Sequence, residues 1–154
     1  MTTFVEAVQV RLASDVSVQA VLGSSDIYPT WVFQDRPYAP VEGSQRVAVV
    51  LSWAGSWTTP NTHNTMKFPR LRVEFLGDPT RGETGQTRVQ DARNKIALAH
   101  EAVDKVLHRV DGSDVIWSGV RILRSSRLGE LDLSWEPETD GMVRAEVYYG
   151  LGLG

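Results

Sequence analysis

From Thr3 to Leu12 the apolar residues Phe4, Val5, Val8 and Leu12 recur on one helical face, so the chain is predicted to open with a helix. Ser14-Asp15 brings short polar side chains that compete for backbone groups, which marks a break or a new N-cap. A second short helix is predicted over Val16–Leu22, with Gly23 as a suitable stop. SSDIYPTW (24–31) then leaves helix for a turn.

The period changes to two in the next stretch. Val47, Val49, Leu51 and Trp53 alternate with Ala48, Val50 and Ser52, a β-branched run that predicts a strand buried on one face and nearly so on the other. Leu71, Val73 and Phe75 alternate with Arg70, Arg72 and Glu74, a strand with a charged outer face. Between them SWTTPNTHNTMKFPR (56–70) is polar and Thr/Asn-rich, so the pair reads as an antiparallel hairpin with an extended tip over 54–69.

GDPTRGETGQT (77–87) is a Gly/Pro loop leading into the clearest helix, from about Arg88 to Val110. Val89, Ala92, Ile96, Ala99, Val103, Val106 and Val110 form a continuous stripe, and its alanines predict close packing on a sheet. Thr87 is the expected N-cap, with Gln90 completing a capping box. The remainder reads as β: one strand over Val115–Leu123 with a bulge at Gly119, then Leu131–Trp135, then Val143–Tyr149. Asp140-Gly141 between two alternating runs is a strong hairpin signal. The closing GLGLG (150–154) is expected to be a flexible tail.

Neither an internal repeat nor a linker interrupts this order, so 1–154 reads as a single domain. The fold class is α+β: a mainly antiparallel sheet of about four to five strands, with a long helix and a short N-terminal helical segment on one face.

Composition narrows the class only moderately. Hydrophobic residues make up 42% and charged residues 23%, ordinary globular usage, and cysteine is absent, which excludes disulfides and thiolate metal sites. The opening residues lack the basic and apolar regions of a signal peptide, and no stretch has the apolar length of a membrane span. A soluble protein made in a cytoplasm, without membrane contact, is expected. The net charge of −3 argues against a free nucleic-acid binder, although the middle third is net basic and both flanks are net acidic.

Each candidate chemistry meets a simpler account. EPETDG (136–141) spaces carboxylates as a calcium loop does, but Val147 stands where the bidentate Glu belongs, so a solvated hairpin turn fits better. GETGQT (82–87) precedes a helix but lacks the lysine that reaches a phosphate. His100 and His108 are eight apart on the long helix, beyond metal-pair spacing, and are assigned to the surface; His63 has no carboxylate neighbour. Ser24-Ser25 and Ser125-Ser126 lack a G-x-S-x-G frame. No catalytic residue, metal ligand or cofactor is assigned, and the chain is expected not to be an enzyme.

Binding features remain. Arg121, Arg124 and Arg127 precede Glu130, Asp132, Glu136, Glu138 and Asp140, either a solvated sheet edge of both signs or the unlike patches of a head-to-tail ring. Trp53 and Trp135 are in phase with strand core faces and are expected inside. Trp31 and Trp57 lie in or beside loops, and Trp57 is the better interface anchor. The loop tip adds His63, Met66, Lys67 and Phe68, followed by Arg70 and Arg72.

RLASDVSVQAVLGSSDIYP (11–29) resembles the opening of siphophage tail terminator and tail-completion proteins: a short helix, a Leu-Gly stop and an Ile/Val-Tyr-Pro turn into a strand. The resemblance continues through RVAVVLSW, PRLRVEFLGD, DARNKIALAHEAVDKVL and DGMVRAEVYYGLGL, nearly the whole chain. It implies a virion structural protein that caps the tail tube at its head-proximal end, commonly as a hexameric ring, and offers a surface to the head-side connector. The implied partners are further copies of the chain, the tail tube protein and the connector, with DNA only as passing cargo. A subunit of this length has an equivalent radius of roughly 19 Å, and six in contact leave a hole of about that radius, wide enough for a duplex. A lumen of net negative charge is expected, since a conduit should not grip its cargo. The 54–69 loop then reads as an arm that orders against a neighbour. Another neck protein, such as a head-closure or connector subunit, and a small cytoplasmic ligand-binding or enzymatic domain, are the alternatives.

Overall fold

The structure, a computed structural model, describes residues 3–22, 27–29, 47–57, 68–77, 85–109, 114–135 and 143–154. Helix α1 spans Phe4–Ser14 and is fixed at its start by Thr3, whose side chain accepts from the Glu6 backbone while Glu6 reaches back to the Thr3 N–H. That capping box, spelled T-F-V-E, satisfies two of the donors a helix start leaves orphaned. Asp15 does become a new N-cap: its carboxylate accepts from the N–H groups of Ser17 and Val18, opening the single turn α2, Val16–Gln19. The long helix α3 runs Gly85–Leu107. It begins ahead of Thr87, which is therefore not the N-cap, and Gln90 donates along the helix to Asn94 at 3.0 Å.

Among the described residues seven strands form one sheet: β1 (Ile27–Pro29), β2 (Val47–Trp57), β3 (Phe68–Gly77), β4 (Val115–Trp117), β5 (Val120–Arg127), β6 (Asp132–Trp135) and β7 (Val143–Leu153). The spatial order is β1-β2-β3-β7-β5-β4, with β6 also on β7. Among the described residues the one parallel pair is β1–β2, and residues 30–46 between them have the length such a crossover needs. The expected α+β architecture holds, framed by β2, β3, β7 and β5, with three short strands added.

One face of the sheet is covered by the helices. Val49, Leu51, Leu71, Val73, Phe75, Val147 and Tyr149 are buried against Val8 and Leu12 of α1 and Ile96, Ala99 and Val103 of α3. The alanines allow the close approach expected of them: a Cβ placed on Gly77 would stand 3.3 Å from that of Ala92.

Several local readings change. The stretch 115–123 is not one bulged strand but a hairpin, β4–β5, with Trp117 opposite Val120. Its two turn residues, Ser118 and Gly119, both have positive φ, 48° and 82°, the conformation of a primed turn whose twist matches that of the strands. The segment 150–153 is not a loose tail. It continues β7, with Leu151 opposite Ser125 and Leu153 opposite Ile122, because Leu151 completes the inner-face alternation and β5 supplies the hydrogen bonds. Trp53 is not interior, being 62% exposed. It is in phase with the core face but lies past the end of the core, where its ring meets that of Phe4 edge-on, centroids 6.4 Å apart.

Candidate interaction surface

The face of the sheet away from the helices carries charges in an ordered array. Glu74 of β3 stands directly opposite Glu146 of β7, a like-charge pair that alone would destabilise the sheet. Arg72 resolves the conflict: its guanidinium lies 2.7 Å from Glu74 Oε2 and 2.7 Å from Glu146 Oε2. Arg144 approaches Glu74 Oε1 from the other side at 3.5 Å. Burial lowers the Arg72 pKa, but the hydrogen bond that Arg72 donates to Glu146 and the two carboxylate charges outweigh it, so the net shift is upward. Arg72, expected to reach a partner, is thus occupied within its own sheet.

Farther along β7 the array gives way to a groove of about 150 Å³ lined by Phe68, Arg124, Ser126, Leu128, Gly150 and Leu151. Gly150 pairs with Arg70 on one side and Ser126 on the other, and Gly152 pairs with Arg124. Lacking side chains, the glycines let neighbours lie flat. Leu128 reaches across Gly150, where an added Cβ would meet its methyl at 3.3 Å, and the Arg124 stem crosses Gly152 at 3.0 Å. Leu128 is placed there by an irregularity. Between Arg127 opposite Tyr149 and Asp132 opposite Glu146, β5–β6 advances five residues while β7 advances three. The surplus bulges at Leu128–Glu130, leaving Leu128 48% exposed. Arg70 and Arg124 are exposed and have no carboxylate partner among the described residues.

The β2–β3 ribbon ends beside this groove. Pairing runs from Val47–Gly77 to Trp53–Leu71, slips by one residue, and resumes as Ser56–Pro69 and Trp57–Phe68. The extra residue lies at Ala54–Gly55, where Gly55 takes φ +100°, a value that side chains rarely permit. The backbone register places Trp57 opposite Phe68. His63, Met66 and Lys67 lie outside the described residues, as do Glu136, Glu138 and Asp140.

The three arginines expected to form one patch do not. Arg121 is paired with Asp114, and Arg124 lies over the groove. Arg127 points the other way, toward α3, and bonds Asp104 at 3.0 Å. The register explains this: Arg127 stands opposite Tyr149 on the helix-covered face, whereas Arg124 stands opposite Gly152.

Arg127 belongs to a polar cluster that sequence reasoning missed. Tyr149 donates to Asp104 Oδ1 at 2.7 Å, and the backbone N–H of Arg127 donates to His108 Nδ1 at 3.0 Å. Ser125 donates to the carbonyl of Leu107, near the end of α3. His100 is half-buried, edge-on to Phe75 at 5.9 Å and 4.0 Å from Asp104. Burial raises the Tyr149 pKa well above the usual phenol range, helped by the bond to Asp104. Burial lowers that of His100 despite the nearby Asp104 charge, and Arg127 adds to the effect. His100 and His108 are thus not surface residues. His108 ties the end of the helix to β5, and His100 packs against Phe75 of β3.

A wider cavity of about 530 Å³ opens between α1, α2, the end of α3 and β4, lined by Arg11, Asp15, Lys105, His108, Arg109 and Trp117 among others. Arg11 is paired with Asp15 at 3.2 Å. Among the described residues no group of three or more His, Asp or Glu side chains is arranged to hold a metal.

No known family matches the chain, and no curated protein matches it. Solved structures do. A chain in the virion of a native gene transfer agent particle superposes with a TM-score of 0.58 at 16% identity, over 95% of this chain and 90% of its own. A second solved structure, at TM-score 0.47 and 9% identity, covers 98% of this chain and 90% of its own. The first likeness extends to the whole fold.

Proposed function

We propose that this chain is a structural virion protein that caps the end of a phage tail tube as a ring, hexameric in the simplest case, and presents a surface for joining to the head. The observation that carries the proposal is the correspondence of nearly the entire fold with a chain from a phage-like virion. The resemblance of the sequence to tail terminators supplies the finer role.

In this reading the protein works by shape and charge, without a cofactor or a catalytic step. The sheet offers two unlike regions: a self-neutralised array around Arg72, Glu74 and Glu146, and a positive groove beside the β2–β3 ribbon. The strands β2 and β3 end at Trp57 and Phe68, and the polar 58–67 sequence that joins them is assigned the role of an arm toward a neighbouring subunit or the tube. Unlike surfaces on one subunit are what a closed heterologous ring requires.

The test is the defect left by a null mutant, viewed by electron microscopy. Overlong tube polymers or headless tails are expected. Normal tails beside unattached heads would instead assign the chain to the connector, and intact particles would remove it from the virion's structural parts.

A further inference from the structure

The cavity between α1, α2, the end of α3 and β4 has a wall fixed by three hydrogen bonds. The Ser125 hydroxyl donates to the Leu107 carbonyl, the Arg109 N–H donates to the Ser125 carbonyl at 3.0 Å, and the Arg127 N–H donates to His108 Nδ1 at 3.0 Å. The end of α3 is thereby tied to β5, and His108 and Arg109 line the cavity from just beyond the last turn. The third bond also sets the chemistry of His108. An Nδ1 that accepts from an N–H carries no proton, so the neutral ring holds its proton on Nε2 and donates from there.

Val106, Val115 and the buried Trp117 make the apolar part of the lining, and Arg11, Lys105 and Arg109 supply the cations. Among the described residues the lining holds three cations and one carboxylate, a formal charge of +2 in a chain of net charge −3. That carboxylate, Asp15, is committed: Oδ1 accepts from the Ser17 and Val18 N–H groups, and Oδ2 from Arg11 at 3.2 Å. Glu101 meets Lys105 only loosely, at 3.8 Å with both side chains exposed. Basic residues at a helix C-terminus also answer the helix dipole. That end carries only about half a negative charge, too little to cancel the lining.

We propose that this cavity binds a small phosphate monoester with a compact apolar or aromatic body. Its volume of about 530 Å³ falls within the range of small-ligand pockets, about 300–1,000 Å³. A phosphate monoester carries close to two negative charges at neutral pH and presents three acceptor oxygens. The charge matches the lining, and the oxygens match the donors of Arg11, Lys105, Arg109 and His108 Nε2. The body of the ligand lies against Val106, Val115 and Trp117. A carboxylate brings half the charge and fewer acceptors. The site goes beyond the tail-capping role and does not depend on it.

Phenyl phosphate is the probe. Titrated at pH 7.5 and fixed ionic strength into the full-length protein labelled with nitrogen-15, it should shift the amides of residues 105–109 and 115–117 and the Trp117 indole N–H along one saturable curve. Benzoate and phenol, the same ring with one charge and with none, should bind at least fivefold more weakly. Lys105→Glu, at an exposed position, should weaken phenyl phosphate at least fivefold, and Arg109→Gln should weaken it as well. Thermal melts establish that each variant is folded. No saturation, shifts clustered elsewhere, or an affinity indifferent to Lys105→Glu would each overturn the site. Benzoate or phenol binding as tightly as phenyl phosphate would overturn the phosphate assignment. The tail-capping role stands or falls separately, on the particles made by the null mutant.

Discussion

The hydroxyl of Tyr149 and the carboxylate of Asp104 lie 2.7 Å apart, joining the central strand β7 to the long helix across 45 residues of sequence. Asp104 also holds Arg127, so one carboxylate links α3 to both β7 and β5. Tyr149→Phe removes one donor and is expected to cost about 1 kcal/mol. Asp104→Ala leaves a partly buried guanidinium and a buried phenol unsatisfied, and should cost about 2–4 kcal/mol. Chemical denaturation of the two variants measures the order. Equal losses would mean that Arg127 finds water readily.

His100 supplies a pH dependence. Its pKa is lowered in the fold, so below about pH 6.5 the unfolded chain takes up a proton that the folded chain resists. Stability from this group is therefore complete above that value and declines as pH falls toward the folded pKa. Comparing His100→Gln with the parent between pH 5 and 7.5 isolates the contribution of His100. The difference in stability between the two proteins should narrow or change sign in the acid range. A constant difference would contradict the lowered pKa.

Trp53 should matter little to folding. A buried tryptophan truncated to alanine costs about 3–5 kcal/mol. Trp53 is 62% exposed, with an edge contact to Phe4, so Trp53→Ala is expected to cost about 1 kcal/mol or less. A much larger loss in a denaturant titration would indicate that the ring is covered in solution.

The β4–β5 turn makes a backbone prediction. Gly119 at φ 82° tolerates a Cβ poorly, and Gly119→Ala should destabilise by about 1 kcal/mol. Ser118→Asn, which accepts positive φ more readily, should stabilise slightly. Thermal melts of both variants check the opposite signs.

Replacing residues 58–67 tests the arm. Trp57 already stands opposite Phe68, so replacing residues 58–67 with Asn-Gly should close a tight hairpin and leave a folded subunit. Tail completion should fail in phage carrying this variant. Normal infectivity would dismiss the arm.

The chain's periodicities alone determined the α+β order, both strands of the β2–β3 hairpin and the apolar stripe of α3, and the short polar side chains of Ser14-Asp15 marked a break or a new N-cap there. These are local matters, decided by which side chains recur on one face and by which short polar groups reach nearby N–H groups. Only the tertiary structure decided what depends on register and on where the core ends. Trp53 keeps the core-face phase yet lies beyond the core, and Gly150 and Gly152 look like a loose tail until β5 is known to run beside them. Arg121 and Arg127 are six positions apart, a spacing that a regular strand would put on one face, but the irregularity between Ile122 and Arg124 turns Arg127 to the helix-covered face. Asp104 and Tyr149 show nothing of their bond in sequence, because the pairing of helix to strand is set by packing across the sheet rather than by residues near either one.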